Sequence, residues 1–212
     1  RFATLPRSSI SHCAEWHAGL LYVAGGASSG DDVLNTFHVF NEATKLWEDL
    51  PPMPHACMGA ASGVIGNELF IVGGFNTQGL LRTLQIYDIA TRTWRLGHRP
   101  PGINLPPPWL GVVVDGKLLI LSEIGFMAVY DPQFNTWTQE IIPTLNAAPL
   151  SPFVCTHNGR IVFFYSDGAA FERAAAGTWS PCEAAMPEVP RDYDRGNGDL
   201  TDLTAFGSVL LG

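Results

Sequence analysis

Basic residues are scarce in this chain: 12 Lys and Arg stand against 20 Asp and Glu, for a net charge of −8 over 212 residues. A nucleic-acid surface needs a basic patch that releases phosphate counterions, so that class of partner is excluded. Charged residues of either sign are few and form no run that reads as an interaction tail. Cysteine is rarer still. Cys13, Cys57, Cys155 and Cys182 show no CxxC spacing, and the first three lie among apolar or small residues, as reduced buried thiols do. There is no N-glycosylation sequon, no signal-peptide pattern and no apolar run longer than a strand, which excludes a membrane-spanning helix within these residues. These absences point to the cytoplasm or nucleus. No long amphipathic helix can be drawn anywhere in the chain.

Turn residues, by contrast, are plentiful, with 22 Gly and 16 Pro. Four tryptophans, Trp47, Trp94, Trp137 and Trp179, are spaced by 47, 43 and 42 residues. Seven positions before the first three stand Phe40, Tyr87 and Tyr130; Phe171 precedes Trp179 by eight. Upstream of each pair lies an apolar run that begins at a turn residue: GLLYVAGG, NELFIVGG, GKLLILSE and GRIVFFYS. The first two runs end in glycine pairs, Gly25-Gly26 and Gly73-Gly74; the other two do not.

In the second copy, four strands are expected at about 57–65, 68–72, 83–88 and 93–96. Tight Gly- or Asn-bearing turns join the first two strands of each copy, and proline-bearing segments come after each tryptophan. A period of 42–48 residues with four strands per unit predicts an all-β protein, a β-propeller. The second strand has no apolar–polar alternation because neighbouring blades cover both of its faces. A β-sandwich would not require an aromatic pair at fixed spacing in every unit. The glycine pair lets the strand end approach other backbone closely or take positive φ. The repeats span about 11–49, 57–96, 109–140 and 152–181. Residues 200–212 read as a started fifth, so the expected object is a piece of a larger propeller of five to seven blades; a small propeller closed by its C-terminal strands is the alternative.

Four hydrophobic residues, Gly-Gly, then Tyr and Trp at this spacing resemble the kelch repeat. The second unit fits through Ile71, Val72, Gly73, Gly74, Tyr87 and Trp94. The first has Phe40 in place of Tyr, the third lacks the glycines, and the fourth is the most degenerate. The phrase WEDLPPMP is similar to that of plant F-box/kelch proteins, with BTB-kelch adaptors next. The resemblance implies a non-enzymatic propeller whose loops hold a substrate protein for an SCF-type ubiquitin ligase. A SKP1-type adaptor would be reached only through an F-box upstream of these residues. Rival readings are a copper oxidase or sugar-acid mutarotase on a kelch propeller, or a cytoskeletal scaffold; no cofactor is implied by the preferred one.

With antiparallel strand order, the longer segments 27–35, 75–82, 97–108, 142–151 and 181–199 mostly gather on one face, the candidate for binding. Carrying over the adaptors' gripping positions marks Ser28, Phe75, Asn76, Glu123 and Asp167 just after the glycine pair. It marks His12, His55, Met58, Trp109 and Phe153 at the start of the inner strand. Arg82 is the nearest cation, and Trp109 the strongest anchor candidate.

Other motifs carry no chemistry. The six histidines are spread over several units without metal-ligand spacing. Gly26, Ser28 and Gly30 match G-x-S-x-G, but they lead into a polar loop and a strand rather than a helix. Asp192 to Asp199 lacks the fifth and twelfth ligands of a calcium loop.

Overall fold

The four apolar runs form the second strands of four antiparallel sheets in a computed structural model, which describes residues 4–29, 32–100, 110–121, 126–141, 153–157, 160–164, 170–173 and 178–181. The strands are β1 Cys13–His17, β2 Leu20–Ala24, β3 Phe37–Asn41 and β4 Leu46–Asp49; β5 Ala61–Ile65, β6 Glu68–Val72, β7 Phe75–Asn76, β8 Gly79–Leu80, β9 Leu84–Asp88 and β10 Thr93–Leu96; β11 Leu110–Val114, β12 Lys117–Leu121, β13 Phe126–Asp131 and β14 Thr136–Ile141; and β15 Phe153–His157, β16 Arg160–Phe164, β17 Ala170–Arg173 and β18 Trp179–Pro181. Each sheet is a meander in chain order, except that the small hairpin β7–β8 is inserted between β6 and β9 of the second. The first strands β1, β5, β11 and β15 are neighbours in turn. The four sheets are therefore blades set around their innermost strands, the arrangement of a β-propeller. The expected fifth unit at 200–212 and the acidic segment 192–199 lie outside the described residues.

Blade packing explains the unbroken apolar runs. Along β6, Leu69 and Ile71 enter the core shared with the first blade, and Phe70 and Val72 the core shared with the third. In β12, Leu118 and Ile120 face the second blade, while Leu119 and Leu121 join the next core with Met127 and Ile161. Side chains alternate between faces, but here both faces are interior. Full burial of each such side chain stabilises by about 1.5–3 kcal/mol.

The aromatic spacing is a register device. A difference of seven places Phe40 opposite Trp47, Tyr87 opposite Trp94 and Tyr130 opposite Trp137. The Asx residue after each aromatic closes the intervening turn: Asn41 Oδ1 accepts from the Ala43 amide, Asp88 Oδ1 from Ala90 and Asp131 Oδ1 from Gln133, each at 2.9–3.0 Å. Backbone amides of its turn, that of Thr91 first, hold the Asp88 carboxyl below its ordinary pKa; for Asp131 the Lys117 ammonium is the first cause. The turns end on left-handed residues, Lys45, Arg92 and Asn135, with φ of 59°, 58° and 52°. In the fourth blade the spacing of eight changes the pairing: Trp179 faces Arg173, and Phe171 faces Pro181.

The ring pairs of the second and third blades also reach the preceding blade. Phe37 meets Tyr87 edge-on at 4.7 Å and Trp94 at 5.1 Å, and Phe70 meets Tyr130 at 5.7 Å. Trp94 Nε1–H donates to the Pro51 carbonyl at 2.9 Å, and Trp137 Nε1–H to the His98 carbonyl at 3.0 Å. Trp94 and Trp137 thus tie the outer strands of the second and third blades to the linkers that precede them. Trp94→Phe keeps ring packing but loses that bond, so it should cost about 1 kcal/mol in a urea titration.

One expected boundary moves. The first strand of the second blade begins at Ala61, not at Cys57. The Cys57 amide is drawn to the Leu34 carbonyl (3.2 Å), and Met58 pairs with Phe75 instead of β6.

Candidate interaction face

At Gly25-Gly26 and Gly73-Gly74 the chain leaves the blade plane with φ between 66° and 90°, a region that disfavours any Cβ. Both pairs are also crowded by backbone. A Cβ on Gly26 would stand 2.6 Å from the Ile10 carbonyl oxygen, and one on Gly74 2.6 Å from that of Met58. The same bonds recur in the two blades. Gly25 N–H donates to Thr36 O and Gly73 N–H to Thr83 O, both at 2.9 Å; Gly26 O accepts from Leu34 N–H at 2.8 Å and Gly74 O from Leu81 N–H at 2.9 Å.

Beyond the glycines each blade builds a second, smaller sheet. In the first blade Ile10, Ala27 and Val33 are bridged side by side; in the second, Met58 pairs with Phe75, and β7 with β8. The two small sheets are linked across the blade boundary. Gly59 N–H donates to Ser11 O and Gly26 N–H to Cys57 O, both at 2.9 Å. The face is therefore a hydrogen-bonded platform, where the sequence suggests only a polar loop.

This platform brings several candidates together. Met58 and Phe75 are direct backbone partners, both half-buried. Asn76 is a brace: its Nδ2 donates to Ala56 O at 3.3 Å, and its Oδ1 accepts from Gln78 N–H at 2.8 Å. Ser28 is half-buried, its amide donating to Asp32 O at 3.0 Å. His12 is exposed, one residue outside β1, with Nδ1 near Ser9 O at 3.2 Å. His55 is half-buried; Arg82 is exposed and forms no ion pair among the described residues. Phe153 opens β15. Trp109, Glu123 and Asp167 lie outside the described residues.

Three residues on or under this face escape sequence reasoning. Ile10 is 67% exposed and Leu80 41% exposed, apolar side chains held in the open by the small sheets. Gln85 has no exposed surface although it lies in the core strand β9. Its Oε1 accepts from the His55 amide at 2.8 Å, and its Nε2 donates to the His55 carbonyl at 3.2 Å. Gln85 thus acts like an extra strand for the linker that carries His55.

Behind the platform the inner strands meet. Ser62 Oγ–H donates to Glu15 Oε1 at 2.6 Å, joining β5 to β1. Burial pushes the Glu15 carboxyl above the ordinary range, and the Ser62 bond offsets part of this. A folded-state pKa raised above the unfolded one means that stability falls as pH rises from the unfolded to the folded value, the penalty then staying constant. Glu15→Gln removes that penalty while keeping an acceptor for Ser62. The variant should melt above the wild type at pH 7, and the gap should close as pH falls below the unfolded carboxylate pKa.

Burial pushes the Cys13 thiol up to about 12 and raises that of Cys57 further, so both are protonated at neutral pH. Among the described residues no three His, Cys, Asp or Glu gather as metal ligands, and no helix is long and apolar enough to cross a membrane.

The fold and this face define a β-propeller that presents a backbone-organised loop surface. The Kelch motif matches residues 56–97 and, in a second form, 17–54. Kelch-like protein 38 of Rattus norvegicus is 27% identical over 133 residues, 61% of this chain and 22% of the relative. A putative F-box/kelch-repeat protein of Arabidopsis thaliana is 27% identical over 125 residues, 58% of this chain and 32% of the relative. Kelch-like protein 40 of Xenopus tropicalis is 32% identical over 90 residues, 42% and 15% of the respective chains. The chain thus spans less than a third of the length of these relatives. The solved structure of YjhT shares the fold, with a TM-score of 0.66 at 15% identity over 86% of this chain and 68% of that one. The chain carries kelch repeats, matched over residues 17–54 and 56–97.

Proposed function

We propose that this propeller is a protein-binding module that holds a substrate for an SCF-type ubiquitin ligase, in the manner of the F-box/kelch proteins. The observation that carries the reading is the pair of linked small sheets, which hold Ile10 and Leu80 exposed beside the half-buried Met58 and Phe75. Exposed apolar side chains on a preorganised backbone lower the ordering cost of association, and the kelch relatives include one with an F-box in its name. The rim, with His12 and Arg82, supplies polar contacts of the kind that set orientation.

A photo-crosslinking residue at position 80 in the full-length protein should trap a partner in cells, whereas one at Lys45, on the opposite turns, should not. Leu80→Asp should lower capture at a second loop position at least about tenfold, as truncation of an interface anchor does. The trapped protein should carry ubiquitin that disappears when the propeller protein is depleted. Equal trapping from positions 45 and 80 would remove the loop face from consideration; trapping without dependent ubiquitination would leave a binding module and sink the ligase role.

A further inference from the structure

On the face opposite the small sheets, the junction of the first two blades forms an open cleft of about 410 Å³. Leu20, Val39, Leu50 and Ile89, with the rings of Tyr22 and Tyr87, form its apolar side, and Asn41, Thr44, Glu48 and Arg92 its polar side. Neither phenol hydroxyl has a hydrogen-bond partner among the described residues; both hydroxyls open to solvent, while the rings behind them are buried. The equivalent ring one blade on is satisfied differently, because Tyr130 O–H donates to Asn135 Oδ1 at 2.8 Å. The residue matching Asn135 in the second blade is Arg92, which turns away to Glu48 of the first blade. Its second guanidinium nitrogen lies 3.4 Å from Glu48 Oε2. Arg92 and Glu48 both line the cleft and are each more than half exposed, so their pairing is weak. Burial is the main cause raising the pKa of both phenols, and the Arg92 charge opposes it.

We propose that this junction is a small-molecule site for a compact apolar monocarboxylate. The volume lies within the range of ligand pockets, and the cleft sets one aliphatic and aromatic side against one polar side, which suits a ligand with a hydrocarbon body and a single charged end. The carboxylate would take the place of Glu48 on the planar fork of Arg92, which suits two oxygens. The two free phenols supply further donors, and the hydrocarbon body lies against Leu20, Val39 and Ile89. Glu48 acts as the resident competitor, so the empty site is not left with an unpaired cation. The site is independent of the loop face, and its occupancy does not depend on any protein partner.

The test uses 3-phenylpropionate and its neutral counterpart 3-phenylpropanamide as probes, with binding read by methyl NMR of the full chain. The acid should shift the Leu20, Val39, Leu50 and Ile89 methyls and bind at least about tenfold tighter than the amide. Glu48→Gln should strengthen acid binding by freeing Arg92, a gain that misfolding cannot imitate. Arg92→Gln should bring acid and amide to the same affinity. The double variant Tyr22→Phe, Tyr87→Phe should weaken the acid by about tenfold; Phe40 already fills the position of Tyr87 in the first blade, so the fold tolerates the change. Absence of shifts at these methyls, equal affinity of acid and amide for the wild type, or no gain in Glu48→Gln would each overturn the assignment.

Discussion

Gly25→Ala should destabilise the protein by about 3–5 kcal/mol, which is a large part of the 5–15 kcal/mol typical of a domain. Two costs combine. The residue has φ of 67°, where a Cβ crowds the following carbonyl, and that Cβ would run into the Cys57 carbonyl oxygen with Met53 Cε only 2.9 Å away. Met53 can swing aside, but the Cys57 carbonyl cannot, because it already accepts from Gly26 N–H at 2.9 Å. Gly66 provides the control. It has φ of 58° in the β5–β6 turn, but nothing lies within 4 Å of its would-be Cβ. Gly66→Ala should therefore cost only the conformational part, about 1 kcal/mol. Denaturant titrations of both variants separate strain from collision; similar losses would mean that the close approach at Gly25 is unimportant.

Gln85→Leu should be nearly as damaging, at about 2–4 kcal/mol, although leucine is apolar and the site is fully buried. Transfer considerations alone would favour leucine. The loss comes from the other side: the His55 amide and carbonyl, part-buried against an apolar leucine, would both lose their partner. The damage should also be local. In Gln85→Leu, amide exchange at His55 and Met58 should accelerate far more than at Phe70 or Ile71 of β6. Uniform acceleration would mean that Gln85 serves the whole blade and not the linker.

Much of the fold is written in these residues in readable form. The aromatic spacing dictates cross-strand register, and the four apolar runs require interior on both sides. The β6, β9 and β10 segments accordingly lie within a residue of their expected bounds, while β5 starts later because Cys57 to Ala60 serve the loop face. The small sheets are not legible in this way. Phe75-Asn-Thr-Gln-Gly-Leu80 is too short and polar to show a period, and its pairing partner Met58 is 17 positions away, in a segment that looks like ordinary strand. Gln85 is hidden for the opposite reason, as one polar residue within LQIYD gives no hint that it bonds to a linker 30 positions upstream. Of the candidate site, the positions beside the glycine pair are recoverable from the resemblance, whereas Ile10 and Leu80 depend on backbone bridges that no local pattern announces.

The two small sheets are held by peptide groups and by the glycine turns beneath them, with the Asn76 side chain as the described exception. A surface built this way separates shape from sequence. Side chains at Ser28, Gln78 or Leu80 can be exchanged without disturbing the frame that displays them, so specificity can drift quickly while the scaffold stays fixed. For an engineer, the stretch from Phe75 to Arg82 is a natural position for a randomised library, provided Asn76 is kept and the glycine pair before it is left alone.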